Sequence, residues 1–179
     1  MFKQLLSIVK RIQKRNQINR DPIAYARSIG VRVGKNCQFW GVNDQTFNTE
    51  PWLITIGDNV FISGDVQFIT HDGGSLPFRK EVPDLEWTAP ITVGSDVFIG
   101  MRATILPGAK IGDRCVIGAG AVVSKTVPPN SVFAGNPARF VKSADDYFEG
   151  LKRRSLKCGD LVGDAKAKII KRHYGITHV

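Results

Sequence analysis

The side chain best suited to chemistry is a histidine in the middle of the chain. His71 is the second residue of the segment T-H-D-G-G, in which paired glycines and nearby prolines discourage regular structure. An imidazole, whose ordinary pKa is ~6.5, exchanges a proton near neutral pH, so His71 is a candidate general base. On residue type alone, a structural or surface role stays open. The other histidines, His173 and His178, lie in a charged tail, where solvent exposure accounts for them.

The cysteines and the other histidines do not indicate metal or disulfide chemistry. Cys37, Cys115 and Cys158 are odd in number and match no zinc or redox spacing, which is typical of reduced, mostly buried thiols in a cytosolic protein. With one histidine in the central body, a three-histidine metal centre is not available. We therefore expect no metal and a cytoplasmic location.

A six-residue repeat supplies the elements that must position His71. Neither a helix nor an alternating strand has this period, whereas a short strand plus a turn does. Three units form one triangular coil with the large residue inside, so the sequence predicts an all-β solenoid of stacked parallel strands. The recurring large apolar residues are Ile56, Ile62, Phe68, Val93, Ile99, Ile105, Ile111, Ile117 and Val123.

The repeat is broken where His71 stands. From Phe68 to Val93 the spacing is 25 residues, which is four units plus one. A loop over residues 69–92 must therefore leave the wall of the solenoid. Loops on a rigid scaffold are where binding and catalytic residues concentrate.

Helices are predicted at both ends of the chain. Residues 2–15 carry apolar side chains on one helical stripe, and a second helix follows Asp21 as N-cap, with Pro22 in its first turn. Two more helices are predicted after Ser143 and from Asp164 to Tyr174. At 179 residues the chain holds one main core. The predicted organisation is an N-terminal helical cap at 1–30, a β-helix domain at 31–142 and a C-terminal helical tail at 143–179.

Positive charge is concentrated at the two ends. The net charge is +8 over residues 1–35, −4 over 36–138 and +5 over 139–179. No nucleic-acid motif accompanies this charge, so nucleic acid is not an expected partner. Phosphorylated small molecules and anionic membranes suit basic ends better. For the stripe at 2–15, peripheral membrane contact and a cap or oligomer contact are both open.

Three blocks of the sequence resemble the hexapeptide-repeat acyltransferases. They are L-I-T-I-G-D-N-V-F-I-S-G-D-V at 53–66, P-I-T-V-G-S-D-V-F-I-G at 90–100, and the stretch from I-G-A-G-A-V to G-N-P-A-R-F-V-K at 117–142. Within the family, the chain is similar to galactoside, maltose and xenobiotic acetyltransferases and to O-acetyltransferases of polysaccharide biosynthesis. The resemblance implies a left-handed parallel β-helix, a homotrimer with active sites between adjacent subunits, and acetyl-CoA as the acyl donor.

The resemblance also implies roles for residues near the loop. His71 would take a proton from an acceptor hydroxyl or amine as that group attacks the thioester, without a covalent intermediate. We favour a backbone carbonyl over Asp72 as the group that orients the imidazole, because neighbours on extended backbone point to opposite sides. Asn43 is the nearest match to an asparagine that relatives place about thirty residues earlier, with a turn role for Asn43 as the alternative.

Two further sets of residues match the family's donor site. Small residues on the outer wall would let the pantetheine arm approach backbone amides, and their alternative role is to form corners: Gly100, Ala119 and Gly120. Polar and cationic residues match positions that hold the phosphates and the adenosine end, with plain surface charge as the alternative: Ser124, Lys125, Arg139 and Lys142.

Acceptor specificity does not carry over from relatives. Phe98 stands where the family usually has tryptophan, and the segment between Phe68 and His71 is two residues shorter than in galactoside acetyltransferases. Our leading hypothesis is O-acetylation of a carbohydrate hydroxyl in a capsule, O-antigen or other polysaccharide precursor. The alternatives are the amine of an amino sugar nucleotide, a xenobiotic acceptor, and a non-catalytic scaffold that docks on membranes or biosynthetic proteins. Three tryptophans could stack on a sugar face or serve packing: Trp40, Trp52 and Trp87.

Overall fold

A stack of short parallel strands forms the centre of the computed structural model, which describes residues 12–176. The strands are β1 (Arg32–Val33), β2 (Gln38–Phe39), β3 (Ile54–Ile56), β4 (Phe61–Ile62), β5 (Gln67–Phe68), β6 (Ile91–Val93), β7 (Phe98–Ile99), β8 (Thr104–Ile105), β9 (Lys110–Ile111), β10 (Val116–Ile117), β11 (Val122–Val123), β12 (Ser131–Ala134) and β13 (Arg139–Ser143).

These strands make three sheets, in the orders β1-β3-β6-β9, β2-β4-β7-β10-β12-β13 and β5-β8-β11. From β3 to β11, successive strands visit the three sheets in turn, so each coil has three sides. All pairings are parallel except β12 with β13, which closes the stack as an antiparallel pair. The predicted parallel β-helix is confirmed.

Burial of one large residue per strand holds the coils together. Every residue of the predicted six-residue series is buried, with at most 2% of its surface exposed. The coils are so close that a side chain at Gly100 would place its Cβ 2.5 Å from the Ala119 amide nitrogen of the next coil. Glycine at this corner is therefore a steric requirement of the stacking distance.

Helices precede the first coil. A helix, α1, is described over residues 12–20, and α2 (Pro22–Ser28) follows. The Asp21 side chain accepts hydrogen bonds from the amides of Ile23 and Ala24, which confirms it as the N-cap. Tyr25 and Ala26 belong to the buried core. Most of the predicted apolar stripe at 2–15 lies outside the described residues.

The chain divides into two compact units, residues 1–144 and 145–179. The second contains almost all of α3 (Ala144–Arg154) and α4 (Gly163–His173), which match the two predicted tail helices. Its charged residues include acidic side chains in the first turn of α3 and basic ones in the last turn, as the helix dipole favours. Within residues 12–176, no helix has the length and apolar content needed to cross a membrane.

Two segments leave the wall of the solenoid. The predicted loop leaves after β5, contains a 3-10 helix (Gly73–Lys80) and returns at β6. An unpredicted excursion runs from β2 to β3 and contains the 3-10 turn Pro51–Leu53. Phe47 of this excursion is 1% exposed and stacks on Phe68 of β5, with ring centroids 5.6 Å apart. The two excursions therefore meet beside β5.

Candidate functional site

A short antiparallel ribbon at the base of the loop holds His71. The amide of Asp72 donates to the Trp87 carbonyl at 3.0 Å, and the amide of Ala89 donates to the Thr70 carbonyl at 2.9 Å. Between these bonds, His71 lies directly opposite Thr88. The ribbon continues from β5, so the histidine backbone is fixed relative to the buried wall.

The imidazole is bound on one edge by residues of the other excursion. Nδ1 of His71 lies 2.9 Å from Oε2 of Glu50 and 3.0 Å from Oγ1 of Thr49. The same carboxylate accepts hydrogen bonds from Oγ1 of Thr70 at 2.6 Å and from Oγ1 of Thr49 at 2.7 Å. Thr70 is fully buried, and the histidine side chain is 30% exposed. The cluster is anchored in the protein and open on one side.

The hydrogen bonds keep Glu50 ionised. Burial raises the pKa of Glu50, but hydrogen bonds from Thr70, His71 and Thr49 outweigh it, so the pKa lies below its ordinary value. A carboxylate accepts hydrogen bonds and cannot donate them. All the polar groups that contact it must therefore be donors.

This requirement fixes the tautomer of His71. The single hydroxyl hydrogen of Thr49 is used on Glu50, so its oxygen can only accept from the imidazole. Nδ1 then carries the hydrogen, which it shares between Glu50 and Thr49. In the neutral ring the other nitrogen, Nε2, is unprotonated and can accept a proton. This arrangement, with one ring nitrogen held by a carboxylate and the other free to accept a proton, suits a general base.

Our expectation that a backbone carbonyl orients His71 was wrong. The side chain of Glu50 takes that position. Asp72 has a different role, since its Oδ1 accepts from the Gly74 amide at 2.8 Å and caps the 3-10 helix. One signal was overlooked: from Phe39 to Ile56 the spacing is 17 residues, which is not a multiple of six. That break marks a second excursion from the wall, and Glu50 lies in it.

Asn43 lies in the same excursion and forms a turn. Its side-chain Oδ1 accepts from the Gln45 amide at 2.8 Å, and its own amide donates to Oγ1 of Thr46 at 3.0 Å. These contacts correspond to the alternative turn role. A part in catalysis stays a prediction.

Three of the four residues expected at the phosphate end of the donor surround one hollow. Its volume is about 340 Å³, and its lining includes Ser124, Lys125 and Arg139 together with the ring of Phe133. Lys142 lies on β13 opposite Val132 and does not line the hollow. Two cations beside an aromatic ring suit a phosphorylated ligand with an apolar portion.

The small residues of the outer wall separate into two cases. Gly100 is buried, and its amide donates to the Ile117 carbonyl at 2.8 Å, so that amide is not available to a ligand. Its corner role is the one that the geometry supports. Ala119 and Gly120 lie on an exposed corner, where the backbone of Gly120 has a φ of 67°. A ligand can approach the wall there.

The three cysteines are free and buried, as expected. Sγ of Cys37 donates to the Gly57 carbonyl at 3.3 Å, and Sγ of Cys115 donates to the Pro128 carbonyl at 3.1 Å. Burial raises the pKa of the Cys115 thiol, which keeps it protonated. Across residues 12–176, no group of three or more His, Cys, Asp or Glu side chains is arranged to hold a metal ion.

Comparison with known proteins gives consistent matches. Residues 90–125 match the family model described as bacterial transferase hexapeptide (six repeats). The chain is 46% identical over 137 residues to Protein CapG of Staphylococcus aureus, across 76% of this chain and 77% of that protein. It is 34% identical over 139 residues to galactoside O-acetyltransferase of Escherichia coli (strain K12), across 75% of this chain and 66% of that protein. A solved maltose O-acetyltransferase from Clostridium difficile 630 superposes with a TM-score of 0.52 at 28% identity, across 77% of this chain and 88% of that one.

Proposed function

Because this chain belongs to the hexapeptide-repeat transferase family and is an acyltransferase, we propose that it transfers an acetyl group from acetyl-CoA to a hydroxyl of a carbohydrate. The observation that carries the proposal is the contact of Glu50 and Thr49 with Nδ1 of His71, which leaves Nε2 as a base. Relatives named for galactoside and maltose support a carbohydrate acceptor. We infer a precursor of capsule, O-antigen or another polysaccharide as that acceptor.

In the proposed mechanism, Nε2 of His71 takes the proton of the acceptor hydroxyl as the hydroxyl oxygen attacks the thioester carbonyl carbon. The imidazolium formed in this step is stabilised by the carboxylate of Glu50, which is already in contact with the ring. When the carbon–sulfur bond breaks, the imidazolium returns its proton to the departing sulfur. The ester, free CoA and neutral histidine result, and no covalent enzyme intermediate is needed.

For the donor, we propose that the hollow beside Phe133 receives the phosphates and the adenosine end of CoA. Its cations are Lys125 and Arg139, and Ser124 supplies a hydroxyl. The exposed corner at Ala119 and Gly120 would then lie along the pantetheine arm. Lys142 belongs to this donor region as a more peripheral cation.

Removal of the two cations should weaken donor binding and leave chemistry nearly unchanged. For Lys125→Ala combined with Arg139→Ala, we expect KM for acetyl-CoA to rise about 10-fold, because charge-assisted hydrogen bonds contribute roughly 1.5–3 kcal/mol and these side chains are partly solvated. We expect kcat to change less than about 2-fold, since neither residue contacts the reacting atoms. Steady-state kinetics with varied acetyl-CoA measures both. Lys110→Ala, an exposed cation of β9, is the matched control, and an unchanged KM in the double variant would refute the assignment.

We also propose that the enzyme is a cytoplasmic homotrimer. Free, buried cysteines support a reducing compartment. Apolar side chains on the outer wall of the second sheet support association, since Phe98 is 41% exposed and pairs with Phe61, on which Trp40 stacks at 6.2 Å. A subunit interface would cover this surface.

Release of free thiol from acetyl-CoA, measured against a panel of saccharides, amino sugar nucleotides and xenobiotic hydroxyl compounds, tests the proposed function. We expect turnover with a saccharide hydroxyl. Turnover only with an amine would establish N-acetyl transfer in its place. Absence of turnover with every acceptor, by folded protein, would contradict the proposal and leave the scaffold alternative.

A further inference from the structure

Thr88 lies directly across the loop stem from His71. The two backbone hydrogen bonds of the ribbon, from Asp72 to Trp87 and from Ala89 to Thr70, flank this pair and do not join its own members. This is the pattern of a non-hydrogen-bonded antiparallel pair, in which the Cα atoms are ~4.5 Å apart and the side chains share a face. The Thr88 side chain is therefore the nearest cross-strand neighbour of the imidazole.

Alternation along the ribbon separates Thr88 from the neighbouring tryptophan. Trp87 is opposite Asp72, one residue away on each strand, and so lies on the other face. Its side chain, a candidate platform for sugar stacking, therefore leaves the ribbon on the face opposite to that of His71. Thr88 is exposed on the side that the base occupies.

The returning strand is held in place just before Thr88. Nε of Arg79 donates to the Leu85 carbonyl at 3.0 Å, and the same guanidinium pairs with the carboxylate of Glu86. The hydrogen bond from Asp72 to Trp87 fixes the next residue. Thr88 is thus positioned by its backbone before any ligand binds.

The chemistry of this pair fits two adjacent hydroxyls. A threonine hydroxyl both donates and accepts hydrogen bonds, as a sugar hydroxyl does. Because its oxygen is bonded directly to Cβ, it lies closer to the strand than Nε2, which is at the far end of the imidazole. A sugar whose reacting hydroxyl lies at Nε2 therefore places the adjacent hydroxyl of its own ring over Thr88. We propose that Thr88 binds the acceptor hydroxyl adjacent to the one that is acetylated and so selects vicinal diols.

This inference rests on the proposed carbohydrate acceptor and adds a specificity-determining residue to it. The test compares kcat/KM for an active saccharide with that for the same saccharide lacking the adjacent hydroxyl. One neutral hydrogen bond contributes about 1 kcal/mol, so we expect wild type to prefer the diol by about 5-fold. In Thr88→Val, which keeps the branched shape, the preference should fall below about 2-fold. We expect kcat/KM to fall for the diol and to stay unchanged for the acceptor that lacks the adjacent hydroxyl.

Three comparisons make the outcome decisive. Thr88→Ser keeps the hydroxyl and should retain the preference, and Thr88→Ala should reproduce the valine result with a smaller side chain. Thr92→Val, at an exposed threonine of β6, should change nothing. Equal activity of wild type on diol and deoxy acceptor, or a variant that slows both acceptors equally, would overturn the inference while acetyl transfer stands. Failure of wild type to acetylate any saccharide would remove the proposed function and this inference together.

Discussion

Replacement of His71 by alanine is expected to lower kcat for acetyl transfer by ~10²-fold or more, because a positioned general base contributes ~10²–10⁴-fold. The structure gives this residue the required geometry: Nδ1 is occupied by Glu50 and Thr49, and Nε2 is left to accept the proton. KM for acetyl-CoA should change little, since the expected phosphate contacts lie elsewhere. Thiol release under saturating donor and acceptor measures the effect.

The comparison needs a folded variant and a matched histidine. His71 is partly exposed, so its removal opens no large cavity, and the thermal midpoint of His71→Ala should lie close to that of wild type. His173→Ala replaces an exposed histidine of α4 and should keep full activity. If His71→Ala turns over like wild type, the histidine is structural and the proposed mechanism is wrong.

Glu50→Gln is expected to lower kcat by about 10–100-fold, which corresponds to loss of a charge-assisted hydrogen bond contributing roughly 1.5–3 kcal/mol. The carboxylate receives hydrogen bonds from Thr49, Thr70 and His71, and a carboxamide cannot accept all of them, because one of its two polar atoms is a donor. The variant also loses the negative charge that stabilises the imidazolium. We expect KM for acetyl-CoA to stay within about 2-fold, since Glu50 acts through His71.

The pH dependence of stability gives Glu50→Gln a second readout. The pKa of Glu50 is lowered in the folded protein, so its ionised form stabilises the fold above the unfolded value of 4.5, and this contribution is lost as pH falls toward the lower folded pKa. The difference in thermal midpoint between wild type and Glu50→Gln should therefore be largest above that pH and shrink below it. Glu149→Gln, at a paired glutamate of α3, is the control. Wild-type kcat in Glu50→Gln would contradict the positioning role.

The sequence predicted the solenoid well, because the residues that specify each strand and corner are close together in the chain. Each strand and corner is specified within six residues, and the same burial requirement recurs in every coil, so one pattern is tested many times along the chain. Ile99 and Ile117, which are 18 residues apart, occupy equivalent buried positions in β7 and β10, which pair with each other. The Asp21 cap is local in the same way. The resemblance to hexapeptide-repeat acyltransferases depended on three such blocks, and the family match at 90–125 together with the 46% identical relative confirms the family.

The surroundings of the candidate site were predicted less completely. Sequence placed His71 at the base of a loop, and the break in spacing was enough for that. It could not identify Glu50 as its partner, because the two residues are 21 positions apart on excursions from different coils. The excursions follow no repeat, so no period relates one to the other. They are brought together in the fold, where Phe47 of the first excursion packs against Phe68 of β5, the strand from which the second excursion leaves.

The sequence by itself therefore determined the stack of coils, the loop and the candidate base, since each depends on the burial preferences of nearby residues. Tertiary structure alone decided what those residues contact: that a carboxylate holds Nδ1 of His71, that Thr88 shares its face of the ribbon, and that the Gly100 amide is used by the next coil. Hydrogen bonds of this kind need donor–acceptor distances of ~2.7–3.2 Å, so segments far apart in sequence must be placed to within a few tenths of an ångström. Such distances follow from how the coils and loops pack, and no local pattern encodes them.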